Sequence, residues 1–107
     1  MPSGTTYTFQ LTDGVSKGTF VYNVQTSPAV WTIATQENVA FPVGEGIFCV
    51  NGSAAGTLTI QLDTSGTPAD SMVTDGTRAT TSITLAAATS CYLLHVDTHE
   101  WRAYPGV

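Results

Sequence analysis

Apolar and polar residues alternate with period two through most of this chain, the signature of strands with one buried face. In TYTFQL, Tyr7, Phe9 and Leu11 share one face while Thr8 and Gln10 share the other. GTFVYNV follows the turn-forming TDGVSKG and places Phe20, Tyr22 and Val24 together, so these two segments are expected to form a hairpin. AVWTIA, around Trp31 and Ile33, comes next. NVAFPVGEG carries Pro42, Gly44 and Gly46, which prevent a regular central strand and leave Phe41 on an irregular segment.

IFCV ends at Asn51-Gly52, and the loop NGSAAG leads into TLTIQL. There Leu58, Ile60 and Leu62 alternate with Thr57, Thr59 and Gln61, the clearest strand in the chain. The long polar stretch DTSGTPADSMVTDGTRATT has room for a short edge strand at Met72 and Val73, and SITL follows it. AAATS then turns into CYLLHV, and DTHE turns into WRAY. Leu85 to Ala88 are the best helical residues and are too few to nucleate a helix. About eight or nine short strands, at spacings of about 8 to 12 residues, predict an all-β fold: a single antiparallel β-sandwich or jelly roll.

Composition sharpens this picture. The 107 residues suit one domain. Mean hydropathy is +0.11 and 42% of residues are hydrophobic, yet no apolar run approaches the ~18 residues of a membrane-spanning helix. The hydrophobicity is therefore expected in strands or subunit interfaces, with no membrane partner. Charged residues are only 10% of the chain, against about 25% in an ordinary domain, so the surface is neutral and hydroxyl-rich. A net charge of -5 with three Lys and Arg in all argues against nucleic acid. The start, MPSGTTYTF, has neither basic nor apolar signal regions, and the expectation is a chain made in a cytosol. Without a secretion signal, the sequon at Asn51-Gly52-Ser53 reads as a loop. Cys49 and Cys91 lie in apolar strand-like runs and read as small buried hydrophobes, with a disulfide open if their strands are adjacent.

Candidate chemistry concentrates in HVDTHEW. His95, Asp97 and His99 are ligand types suited to zinc, but DTHE is also an ordinary polar turn between two strands, and the turn is the reading preferred. There is no GxSxG elbow, and the acids sit mostly in Gly-rich turns such as TDG. Trp31, Phe41 and Trp101 default to the core; Phe41, beside Pro42, and Trp31 are the aromatic candidates for an interface. Residues 1–6 read as an N-terminal arm whose Met1, Pro2, Ser3 and Thr5 could lie on a neighbour.

From Ile47 onward, GTLTIQLD, the TDGT turn and SITLAAATSCYLLHVDTHEWRAY follow an order that resembles small β-modules of tailed-bacteriophage virions: capsid decoration or cement proteins, and tail fibre or spike tips. The resemblance covers roughly the last 60 residues and rests on strands and turns rather than fixed residues. It implies a non-enzymatic virion structural protein, with VDTHEW as a hairpin turn whose Trp anchors the last strand. It assigns no catalytic, cofactor or metal-binding residue. Within it, a decoration protein is preferred, because the chain starts at its own Met1 and ends just after its last strand. Such a protein would be assembled in the host cytoplasm, sit on the outer capsid surface with the major capsid protein as partner, and form a homo-oligomer, a trimer. The alternatives are a tail fibre or spike module recognising a host glycan and, from another class, a small metal-dependent or carbohydrate-binding jelly-roll protein.

Overall fold

The structure, a computed structural model, describes residues 4–74 and 77–106, without the side chains of residues 77–79. Its strands are β1 (Thr6–Thr8), β2 (Val21–Asn23), β3 (Ala29–Ile33), β4 (Gly46–Asn51), β5 (Leu58–Leu62), β6 (Ser71–Thr74), β7 (Thr77–Thr80), β8 (Ser82–Leu85), β9 (Thr89–Asp97) and β10 (Glu100–Pro105). They form two sheets, one of four strands in the order β1-β3-β5-β8 and one of six in the order β2-β4-β9-β10-β6-β7.

Both sheets are mixed, which corrects the purely antiparallel expectation. β1–β3, β3–β5, β2–β4 and β6–β10 are parallel pairs, whereas β5–β8, β4–β9, β9–β10 and β6–β7 are antiparallel. From β1 to β6 the chain changes sheet at each step, so strands next to each other in sequence do not pair. A strand that returns to its first sheet after a single strand in the other runs in its original direction, hence the parallel pairs β1–β3, β3–β5 and β2–β4.

The expected hairpin of the first two segments is absent for the same reason. β1 joins the four-stranded sheet and β2 the six-stranded one, and the link between them is two 3-10 turns, Leu11–Asp13 and Val15–Lys17. Tyr7 ties the first turn down, donating through Oη to Asp13 Oδ2 at 2.6 Å. Burial, reinforced by that carboxylate, pushes the phenol well above its ordinary pKa.

Alternation does identify the inward residues of most strands. Leu58, Ile60 and Leu62 of β5, and Cys91, Leu93 and His95 of β9, are buried between partly exposed or exposed neighbours. One hydrophobic cluster draws on both sheets, with Trp31, Ile33, Leu58 and Ile60 from the first and Ile47, Cys49, Leu93 and Trp101 from the second. Tyr7, Phe9 and Trp31 meet edge to face within it, with ring centroids 5.6–6.1 Å apart. The Met72–Val73 strand is present as β6, but lies between β10 and β7 rather than at an edge.

Thr5 and Thr6, expected in the N-terminal arm, belong to the four-stranded sheet. Val30 N donates to Thr5 O at 2.7 Å and Thr6 is the register partner of Val30, so these two residues extend the sheet. Backbone pairing along the open side of β3 captures them although their side chains stay exposed. Met1, Pro2 and Ser3 lie outside the described residues.

Candidate functional site

Two features carry the functional question: the histidine turn, and the face of the six-stranded sheet turned away from the core.

The turn is the β9–β10 hairpin, as its polar residues indicate. Asp97 Oδ1 accepts from Thr98 N at 2.7 Å, a local bond that closes the turn. His95 points into the core and has no exposed surface. Its Nδ1 lies 3.1 Å from Pro42 O and its Nε2 3.2 Å from Thr98 O. Both neighbours are carbonyl oxygens and can only accept, so the ring donates from whichever nitrogen carries hydrogen. The imidazole stacks on Trp101 at 4.5 Å and 22°, and Phe41 closes on Trp101 from another side at 5.5 Å and 82°. His95 thus bridges the irregular segment at Pro42 to the hairpin, a structural position.

His99 is turned elsewhere. Its Nδ1 is 2.8 Å from Oδ1 of the buried Asp70, and its carbonyl accepts from Ser71 N at 2.9 Å, which fastens the hairpin to the start of β6. Ala69, Ser71, Asp97, His99 and Glu100 line one open pocket there. The Asp70 carboxylate can only accept when ionised, so Nδ1 donates to it, the arrangement by which a carboxylate orients an imidazole. His95, Asp97 and His99 do not converge, and among the described residues no group of three or more His, Cys, Asp or Glu is placed so that it could hold a metal ion.

The second feature begins with β2. Phe20, Tyr22 and Val24 share one face as their spacing indicates, and that face is outward: Phe20 is 56% and Val24 44% exposed, while Val21 and Asn23 are buried. The inward place is held by a buried amide pair. Asn23 Nδ2 donates to Asn51 Oδ1 at 2.9 Å, and Asn51 Nδ2 reaches Gly56 O, Leu85 O and Ala86 O at 3.0–3.3 Å. Asn51, the sequon residue, is therefore an interior link between the NGSAAG loop and the turn after β8.

Across the sheet the outward residues continue this apolar character. Phe48, Tyr92 and Tyr104 are successive register partners on β4, β9 and β10, and Phe20 lies one residue before the Val21–Cys49 pair in the same row. Tyr92 and Tyr104 stack at 6.5 Å and 29°, and Phe20 meets Tyr22 edge-on at 6.3 Å. Val50 and Leu94 flank the row, each partly exposed. Two glycines let the tyrosines lie close to the backbone: a Cβ at Gly46 would sit 2.0 Å from Tyr92 Oη, and one at Gly52 would sit 2.1 Å from Tyr22 Cζ. Tyrosine over glycine covers the bare strand and presents a broad ring outward.

The aromatic interface candidates are corrected accordingly. Trp31 and Phe41 are 0% and 1% exposed and belong to the core. Phe41 is inward because the segment around Pro42 folds over the cluster, held by Gly44 N donating to His95 O at 2.7 Å; an irregular backbone does not prevent packing. Thr5 has an exposed side chain, while its backbone joins β3. The outward aromatic row was legible only as alternation; which face turns out depends on the Asn23–Asn51 pair, whose members are 28 residues apart. Comparison with protein-family models, with curated proteins and with solved structures gave no match.

Proposed function

We propose that this protein is a non-enzymatic structural component of a tailed-bacteriophage virion: a β-sandwich or jelly-roll capsid decoration protein, trimeric, that binds the major capsid protein on the outer shell and strengthens it through buried area. The observation that carries the reading is the outward row Phe20, Phe48, Tyr92 and Tyr104, an aromatic surface on a chain with 10% charged residues. Aromatic residues on a face whose nearby charges, Arg102 and Glu100 on β10, pair with each other at 3.8 Å suit a contact that works by excluding water, since Tyr and Phe bury large area at small entropic cost. The order of strands and turns from Ile47 onward supports the virion setting.

The test is reconstitution. Purified protein is added to capsids that lack decoration, and occupancy and resistance to heat are measured. Saturable binding with a raised disruption temperature supports the proposal, and no binding at micromolar protein removes it. Sedimentation of the free protein addresses the trimer, with a mass near three times 11.2 kDa expected; a monomer confines trimer formation to the shell or refutes it.

A second reading, a tail fibre or spike module that recognises a host glycan, is favoured by the stacked Tyr92–Tyr104 pair, a flat platform of the kind sugar rings cover. Binding to a panel of host surface polysaccharides, with none to capsids, would select it.

A further inference from the structure

Cys49 on β4 and Cys91 on β9 are direct partners in the antiparallel ladder. Both side chains enter the hydrophobic cluster, neither has exposed surface, and both are thiols in this structure. Partners in such a ladder have Cα atoms about 4.5 or 5.5 Å apart according to the ladder position. A disulfide spans Cα separations of about 4.4–6.8 Å, so either spacing is compatible. Facing residues also send their Cβ atoms to the same side of the sheet.

We propose that Cys49 and Cys91 are a disulfide site, oxidised by a small-molecule disulfide of the glutathione class while the strands are open and then enclosed in the core. One thiol loses its proton and attacks the small disulfide, forming a mixed disulfide and expelling one small thiolate. The second cysteine loses its proton and attacks the protein sulfur of that mixed bond, forming the Cys49–Cys91 bond and expelling the other small thiolate. Two protein thiols are oxidised and one small disulfide is reduced to two thiols.

The core favours retention over exchange. Burial pushes the Cys91 thiol up to about 11, against a weaker opposing hydrogen bond at Tyr104. Burial also raises Cys49 well above the ordinary thiol value, with the neighbouring Cys91 next in effect. A thiol held protonated and out of water neither attacks nor is reached, so the reaction belongs to the opening or nascent chain. The linkage would close a loop of about forty residues, a length at which restricting the unfolded chain has a substantial effect. The inference is independent of the virion reading.

The test uses the wild-type chain, unfolded and refolded with oxidised and reduced glutathione, beside a sample kept in reductant. Expected are a single chain two hydrogens lighter, no alkylatable thiol after denaturation, a linked peptide joining Cys49 to Cys91, and an unfolding midpoint higher by about 10 °C. Two alkylatable thiols, glutathione retained on either cysteine, links between chains, or an oxidised protein that melts no higher than the reduced one would each overturn it.

Discussion

The two sheets turn very different faces away from the core they share. On the four-stranded sheet the cross-strand rows are Thr6–Val30–Thr59–Thr84 and Thr8–Thr32–Gln61–Ser82, nearly all hydroxyl or amide. Gln61 Nε2 donates to Thr32 Oγ1 at 3.3 Å, and the Thr59 and Thr84 hydroxyls are 3.3 Å apart, so the side chains bond across the strands and to water. On the six-stranded sheet the central row is Phe48–Tyr92–Tyr104, flanked by Val50 beside Ser90 and by Leu94 beside Arg102. Both sheets obey the same period-two rule inward. Outward, one is built to stay wet and the other loses most by staying wet, at about 25 cal/mol per Å² of apolar surface.

The largest expected effect comes from the core beneath the aromatic face. Trp101→Ala removes the ring that His95 and Phe41 pack against and should lower stability by about 3–5 kcal/mol, measured by denaturant unfolding. A loss under about 1 kcal/mol would mean that this side of the core is not tightly packed. Next is the amide pair that sets the orientation of β2. Asn51→Ala strands Asn23 Nδ2 and the carbonyls of Gly56, Leu85 and Ala86, and should cost about 2–3 kcal/mol. Amide exchange at Val21 and Asn23 is the second readout, with faster exchange expected.

A direct comparison of the faces follows. Gly46→Val drives a side chain into Tyr92 and should cost about 1–3 kcal/mol, whereas Thr59→Val, on the hydroxyl face, should stay within about 0.5 kcal/mol. Equal costs would erase the distinction between an aromatic layer fitted to its strands and a solvated one. The smallest effect is a pH dependence beside the six-stranded sheet. The Ser16 hydroxyl bonds the Glu45 carboxylate, and backbone N–H groups of Ser16 and Gly46 also donate to it; together they hold its pKa below the usual value against slight desolvation. A carboxyl whose pKa is lowered by folding adds stability that is complete above its unfolded pKa and is lost as pH falls through the folded one. Acid titration of Glu45→Gln should therefore lack a small part of the wild-type loss of stability below the ordinary glutamate pKa; identical acid curves would contradict this role.

How much of this was legible in the sequence varies by element. β5 and β9 were, because Leu58, Ile60 and Leu62, and Cys91 and Leu93, alternate against polar or outward neighbours. The β9–β10 hairpin was, because Asp97 and Thr98 carry their own turn chemistry. Pairing was not: period two assigns faces, and nothing local tells β1 to align with β3 and leave β2 to the other sheet. The aromatic row was missed because the rule that large apolar residues go inward fails where a polar pair takes the inward place. Asn23 is buried at the cost of turning Phe20, Tyr22 and Val24 outward, and its partner Asn51 is distant in sequence. Phe41 misled for the opposite reason, since Pro42 breaks the strand without moving the ring from the core.

The most direct test of a docking role for the aromatic face compares binding to undecorated capsids by two double variants. Phe20→Ser with Tyr104→Ser alters exposed residues of the aromatic row, and Thr59→Ala with Thr84→Ala alters the hydroxyl face. The expected result is a loss of about tenfold or more in affinity for the first pair, with melting little changed, and wild-type affinity for the second. Wild-type affinity for the first pair, or a larger loss for the second, would contradict it.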